Sequence, residues 1–167
     1  MSKQFMVLLG VGVAIVAAGL GVMLLGTKGA HLDLDGKILK VRVLPLSDRA
    51  SLVVVDFRVS NPADLAFVVK SATITLDPGT GEVPEGRPIS KDDLDNVFKY
   101  EKLLGPAFND ALIVRDKIAP KATIDRMTAA RFEIGEAAIA ARKSLKLRID
   151  EVDGAFAEFT EGAGKSK

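Results

Sequence analysis

Ser51–Ser60, read as SLVVVDFRVS and followed by Asn61-Pro62, is the stretch that decides the fold. In extended backbone successive side chains alternate between faces, so Val53, Val55, Phe57 and Val59 share one side. Asp56, Arg58 and Ser60 fall on the other, which is expected to be wet. The β-branched run favours a strand over a helix. Pro62 lacks the N–H that a central ladder needs and so ends the strand, and Asn61 is suited to bond its own turn backbone.

The same period extends in both directions. Ile38–Leu46 (ILKVRVLPL) alternates Lys40 and Arg42 with Leu39, Val41 and Val43, and Ser47–Ala50 forms a turn. Ala66–Leu76 is the next strand. Phe67, Val69 and Lys70 alternate imperfectly, which predicts a bulge near Ser71. A turn at Asp77–Gly81 opens a loop that runs to Arg87. Strands are expected again at Ala111–Asp116, at Thr123–Ile134 after a turn at Ala119–Lys121, at Leu145–Val152, and at Ala155–Phe159 beyond the Asp153-Gly154 hairpin turn. In Leu145–Val152, Leu145, Leu147 and Ile149 point inward, with Lys146, Arg148 and Asp150 outward.

One helix interrupts the strands. Ser90 with Asp93 resembles a capping box, and Leu94, Val97, Phe98 and Glu101 recur at helical spacing. The helix is expected from about Lys91 to Lys102, ending before Gly105-Pro106. Gly135–Arg142 reads as one or two helical turns. Seven or eight strands with short turns make the chain mainly β, an antiparallel β-sandwich with one inserted helix. About 130 residues can bury one core without disulfides.

The N-terminal segment has a different character. Phe5–Leu25 is FMVLLGVGVAIVAAGLGVMLL, and residues 4–27 carry no ionisable side chain. These 21 residues span roughly 32 Å as a helix, against about 30 Å of hydrocarbon. Twelve are Phe, Val, Leu or Ile, which together favour insertion by roughly 4–7 kcal/mol. An uncleaved transmembrane anchor fits better than a cleaved signal peptide. The apolar run is longer than a usual signal core, Lys3 is the sole basic side chain before it, and no convincing cleavage site follows.

The expected organisation is an anchor over 1–27, a linker over 28–37, the sandwich over 38–160 and a polar tail over 161–167. Orientation is less sharply drawn. Lys28, Lys37, Lys40 and Arg42 after the anchor favour a cytoplasmic domain on a positive-inside count. A four-residue tail before the anchor is the common form of a signal anchor that exports the domain behind it. We read the domain as extracytoplasmic on a single-pass membrane protein. Gly10, Ala14, Ala18 and Gly21 lie near one helix face and suit a homodimer contact in the bilayer, although Gly and Ala are also simply frequent in such helices.

Composition excludes several chemistries. From Lys28 onward 22 basic residues balance 22 acidic ones, so no basic excess invites nucleic acid. Without Cys there is no thiolate nucleophile and no Cys-based metal site. His31 is the single His and stands in the linker. Asp33-x-Asp35-Gly36 is a fragment of a calcium loop whose remaining ligand positions are not filled. Gly79-Thr80-Gly81 is a turn without the helix a dinucleotide fingerprint needs. Asp92, Asp93 and Asp95 could suggest a catalytic cluster, but they suit the positive start of a helix. No catalytic, cofactor-binding or metal-ligating residue is therefore assigned, and the chain is read as non-enzymatic.

Two regions could serve binding. Residues 97–108 (VFKYEKLLGPAF) carry Phe98, Tyr100, Leu103, Leu104 and Phe108, more apolar surface than a thin surface helix should expose. The plainer reading is that they cover one end of the sandwich. Arg115-Asp116-Lys117 and Asp125-Arg126 are explained by cross-strand ion pairs.

The run Val53–Ser60 into Asn61-Pro62, with Asp64, Phe67 and the strand through Ile74 to Leu76 behind it, resembles the late embryogenesis abundant group 2 domains, also called water-stress and hypersensitive-response domains. Ile118–Thr123 (IAPKAT) resembles the turn before a late strand in that family. The resemblance covers about residues 38–160. The helix at about 91–102 departs from the family pattern, as does the missing second Asn after the Pro. The resemblance implies an immunoglobulin/fibronectin-like β-sandwich, often behind a single anchor. It also implies a non-enzymatic role in stress protection or at the cell envelope. The alternative is an accessory subunit that docks a membrane complex through residues 97–108.

Overall fold

A computed structural model describes residues 33–79 and 81–161. The anchor at 5–25, the Gly10, Ala14, Ala18 and Gly21 face, His31 and the tail beyond Glu161 lie outside the described residues. Among the described residues no helix is long and apolar enough to cross a membrane.

Among the described residues eight strands form two antiparallel sheets. The first holds β1 (Asp35–Ser47), β2 (Ala50–Ser60), β6 (Thr123–Phe132) and β4 (Arg87–Pro88) in the order β1-β2-β6-β4. The second holds β5 (Lys117–Ile118), β3 (Phe67–Asp77), β7 (Ser144–Glu151) and β8 (Phe156–Thr160) in the order β5-β3-β7-β8. Helix α1 is Lys91–Tyr100, a 3₁₀ turn follows at Lys102–Leu104, and α2 is Glu136–Ala140. The chain is mainly β, a two-sheet antiparallel sandwich, as the period-two pattern requires.

The core lies between the sheets. Val53, Val55, Phe57 and Val59 of β2 are fully buried and meet Phe67, Val69, Ile74 and Leu76 of β3 and Leu145, Leu147 and Ile149 of β7. Each such side chain contributes roughly 1.5–3 kcal/mol on leaving water. Ile139 of α2 belongs to the same core. Both prolines inside strands, Pro45 and Pro88, fall on the edge strands β1 and β4, where a missing donor costs least.

The register shifts at three places, one of them between Pro45 and Ser47 at the β1–β2 turn. In β3 the shift lies between Val69 and Ser71, where the broken alternation put it. In β1 the earlier shift lies between Ile38 and Lys40, so beyond Leu39 the strand turns Lys40, Arg42 and Leu44 to the outer face.

Several boundaries differ from expectation. β1 starts at Asp35, three residues before Ile38, because Asp35 and Gly36 already pair with Ser60 and Val59. Ala111–Asp116 is not a strand. Ala111 makes a single parallel bridge to Met127, and Ile113–Asp116 then turns back on itself. The Asp116 carboxylate accepts from Ile113 N at 3.1 Å, and Arg115 takes the left-handed region at φ 71°. Glu161, expected in the polar tail, is tied to the sandwich: its N–H reaches Leu145 O at 2.8 Å and its carboxylate takes both arms of Arg142 at 2.9 and 2.7 Å.

Gly36 tests this packing. A Cβ there would come within 2.7 Å of both the Arg58 carbonyl and the Phe159 ring. The backbone oxygen is held in the β1–β2 ladder and cannot give. Gly36→Ala is expected to cost about 1–3 kcal/mol in a urea titration, the usual range for overpacking.

Candidate interaction surface on the inserted segment

Part of the outer face of the first sheet is dry, contrary to expectation. Leu44, Leu52, Val54, Met127 and Ala129 form a second buried cluster with Leu94 and Leu104, and Ile89, Val97, Phe98 and Ala111 pack against it. The segment from α1 to residue 111 is a strap across that face, rather than a cap at one end of the sandwich.

Its start follows the sequence closely. Ser90 caps α1, its Oγ accepting from Asp93 N at 3.1 Å, and Lys91 pairs with Asp95 one turn on. Asp95 holds the Lys91 ammonium charged by hydrogen bond and field, raising its pKa. Asp92 and Asp93 lie in the first helical turn, and Asp95 is spent on Lys91. α1 closes at Tyr100, two residues before the expected end, and Gly105 at φ 71° turns the chain out of the 3₁₀ turn.

Beneath the strap lies an ion pair. Arg42, from β1, and Asp56, from β2, were expected on a wet face, but they are only 7% and 2% exposed. Arg42 Nη2 donates to Asp56 Oδ2 at 2.7 Å. Arg42 Nη1 donates to the carbonyls of Leu104 and Pro106 at 3.0 and 2.9 Å. Asp56 Oδ1 accepts from Asn109 Nδ2 at 3.0 Å. The guanidinium lies 4.8 Å from the Phe98 ring centre and 5.4 Å from that of Phe108, within cation–π range. Lys40 Nζ approaches the Phe108 ring to 5.1 Å. The strap is thus clamped at Leu104, Pro106 and Asn109 by charge, and at Leu94, Phe98 and Leu104 by apolar contact.

Three large side chains of the strap remain in water. Leu103 is 84% exposed, Tyr100 69% and Phe108 59%. They project from a segment whose backbone is fixed on both sides, which is the arrangement a docking surface needs. Of the segment 97–108, the structure therefore divides the residues: Val97, Phe98 and Leu104 face the sheet, and Tyr100, Leu103 and Phe108 face out.

Several other charged groups are engaged at the surface. Arg58 and Asp125 form a two-armed cross-strand pair at 2.7 and 2.8 Å. This bond raises the Arg58 pKa and lowers that of Asp125. Asp116 serves the Ile113 turn instead of an ion pair. On the outer face of the second sheet a shallow depression of about 420 Å³ is lined by Thr73, Glu85, Lys146, Arg148, Asp150 and Glu158. Its charges pair with one another, Lys146–Glu158 at 3.3 Å and Arg148–Asp150 at 2.8 Å. Asn61 is buried and spends its side chain on the turn: Oδ1 accepts from Ala63 N, and Nδ2 donates to the Leu65 and Ile118 carbonyls. No group of three or more His, Cys, Asp or Glu side chains is placed to hold a metal among the described residues.

Fold and surface together define a mainly β, two-sheet sandwich with part of one outer face strapped over. No protein-family model and no curated protein sequence matches the chain. Among solved structures it is similar to a Bacillus subtilis protein described as "a putative lipoprotein (ycdA)", at 13% identity and a TM-score of 0.49, over 83% of this chain and 39% of that one. It is also similar to an uncharacterized beta-sandwich protein of Clostridium difficile, at 11% identity and a TM-score of 0.39, over 76% of this chain and 84% of that one. The chain thus spans about two fifths of the length of the first of these.

The clamp gives a direct test. Arg42→Met leaves the Asp56 carboxylate buried without its cation and is expected to cost about 3–5 kcal/mol. Arg42→Met with Asp56→Leu removes both charges and should regain most of that loss in urea titrations. A double variant no more stable than the single one would show that the charges are not coupled.

Proposed function

We propose that the chain is a non-catalytic β-sandwich module held at a membrane surface by residues 5–25, with an envelope-binding or stress-protective role. The observation that carries the reading is the strap, a rigidly clamped segment that presents Tyr100, Leu103 and Phe108 to solvent. The uncharged run from Phe5 to Leu25 supports the anchor, and we read the sandwich as extracytoplasmic. The sheet orders β1-β2-β6-β4 and β5-β3-β7-β8 support an immunoglobulin/fibronectin-like arrangement. They correspond to strands A-B-E-D on one sheet and C-F-G on the other, with β5 as an added edge. That topology and the Asn61-Pro62 turn together support the likeness to late embryogenesis abundant group 2 domains. Full-length chain expressed with a C-terminal epitope is expected to stay in the membrane pellet after alkaline carbonate, and the epitope to be lost when protease is added to intact spheroplasts. Release by carbonate would overturn the anchor, and a protected epitope would place the domain in the cytoplasm.

A second reading is favoured by Leu103 in particular. An accessory subunit that docks a membrane protein through the strap needs an exposed apolar side chain at its centre. A photo-crosslinking residue at Leu103 should then capture one discrete partner band in cells, absent when the same residue replaces Val83 at a distant loop. Leu103→Asp should change stability by no more than about 0.5 kcal/mol, since Leu103 stands almost wholly in water.

A further inference from the structure

The exposed apolar side chains are unevenly shared between the two ends of the sandwich. One end collects the start of β1, the exit of β2, the Asn61–Ala66 loop, the Ile113–Asp116 turn and the β7–β8 hairpin at 152–155. There Leu65 is 59% exposed and Val114 64%, and Ile113 and Val152 are exposed as well. Their backbones are fixed. Asn61 Nδ2 holds the Leu65 carbonyl at 2.8 Å, Val152 N reaches Val68 O at 3.1 Å, and Arg115 N and Asp116 O bond Val69. These side chains are therefore presented to water by supported turns and cannot fold back onto the core. At the opposite end the loops carry Asp48, Arg49, Glu82, Glu133, Glu136 and Lys143, with Leu46 and Val83 as their large apolar side chains.

We propose that the first end seats on the lipid bilayer, with Leu65, Val114 and Val152 entering the headgroup zone. This rests on the reading of residues 5–25 as an anchor. The occupant is identified by where the chain leaves the described structure. Asp33 stands at this end, eight residues beyond Leu25. Eight residues reach no more than about 29 Å when fully extended, so on that reading Asp33 is tethered within this distance of a lipid surface at Leu25. Basic groups here, Arg115, Lys117 and Lys121, are matched by Asp33, Asp64, Asp116 and Asp153, and Lys121 is tied to Asp64 and to the Pro62 carbonyl. Attraction to anionic lipid is therefore not the source of the contact. Apolar insertion is, and such contact is insensitive to salt.

The absence of Cys makes the test clean. Leu65→Cys, Val152→Cys and, at the far end, Val83→Cys in the full-length chain each take one environment-sensitive fluorophore. The labelled chains are reconstituted into phosphatidylcholine vesicles that carry a headgroup-level spin-label quencher. Quenching at positions 65 and 152 is expected to exceed that at 83 several-fold and to hold as salt rises from about 0.1 M to about 1 M, where screening is nearly complete. Chains that float with the vesicles but show equal quenching at all three positions, or none at 65 and 152, overturn the seating and leave the anchor standing. Quenching that disappears in high salt overturns the apolar mode of contact. Chains stripped from the vesicles by alkaline carbonate overturn the anchor itself.

Discussion

The carboxylate of Asp56 is buried on the outer face of a central strand, and much of the first sheet's organisation depends on it. A buried charge costs several kcal/mol unless it is paired and its remaining lone pairs are satisfied. Arg42, nearly opposite on β1, supplies the countercharge at 2.7 Å, and Asn109 supplies the second donor. Arg42 then carries donors of its own that need acceptors. The 3₁₀ turn and the Gly105 bend provide them, since carbonyls at the end of a helical turn lack partners within it. The ion pair needs the strap's carbonyls, and those carbonyls need the ion pair's donors. Within the guanidinium, Nε is left buried without an acceptor, flanked by the rings of Phe98 and Phe108.

This mutual satisfaction makes the two outer faces of the sandwich unlike. Part of the first sheet's outer face is covered by a charged and apolar clamp, and β2 is buried on both sides beneath it from Leu52 to Phe57. The second sheet meets water through ion pairs such as Lys146–Glu158, half-exposed and worth little each. An inserted segment that merely closed the chain between β4 and β5 would need neither the pair nor two aromatic rings around it. The cost of dehydrating Arg42 and Asp56 is offset only because the strap is held in one place. Conformational definition of that segment is the one benefit that an apolar replacement of the pair would not obviously supply.

What the sequence made legible is what period two reports. β2 and β7 show their inner faces in plain alternation, and the break at Lys70 marked the β3 register shift. Alternation says which side chains share a face, and nothing about what lies over it. Arg42 and Asp56 therefore read as wet, although their covering arrives from 53 to 64 residues downstream. A signal was present in the unbroken run Leu52-Val53-Val54-Val55, since a strand buried on both faces loses its alternation. Ala111–Asp116 failed in the opposite way. Its apolar run has strand propensity, but Ala111 makes only a single bridge to the β6 edge, and the Asp116 side chain then captures Ile113 N in a turn. Of the proposed surface, the apolar excess of residues 97–108 was legible, and the division into inward and outward residues was not.

That division decides where an interaction would act. Phe108 is exposed, but its ring lies against Arg42 and Lys40, so its presence is explained by the clamp. Phe98 and Leu104 are explained by the second core. Tyr100 closes α1, with the Lys99 ammonium 5.4 Å from its ring centre as an intramolecular contact. Leu103 has no such account. Its neighbour Leu104 turns inward to the sheet, and the tight pitch of the 3₁₀ turn sends Leu103 the other way, nearly fully into water. A polar residue there would leave every observed contact intact and would expose less apolar surface. The side chain that stability does not require is the one on which a binding role for the strap has to rest.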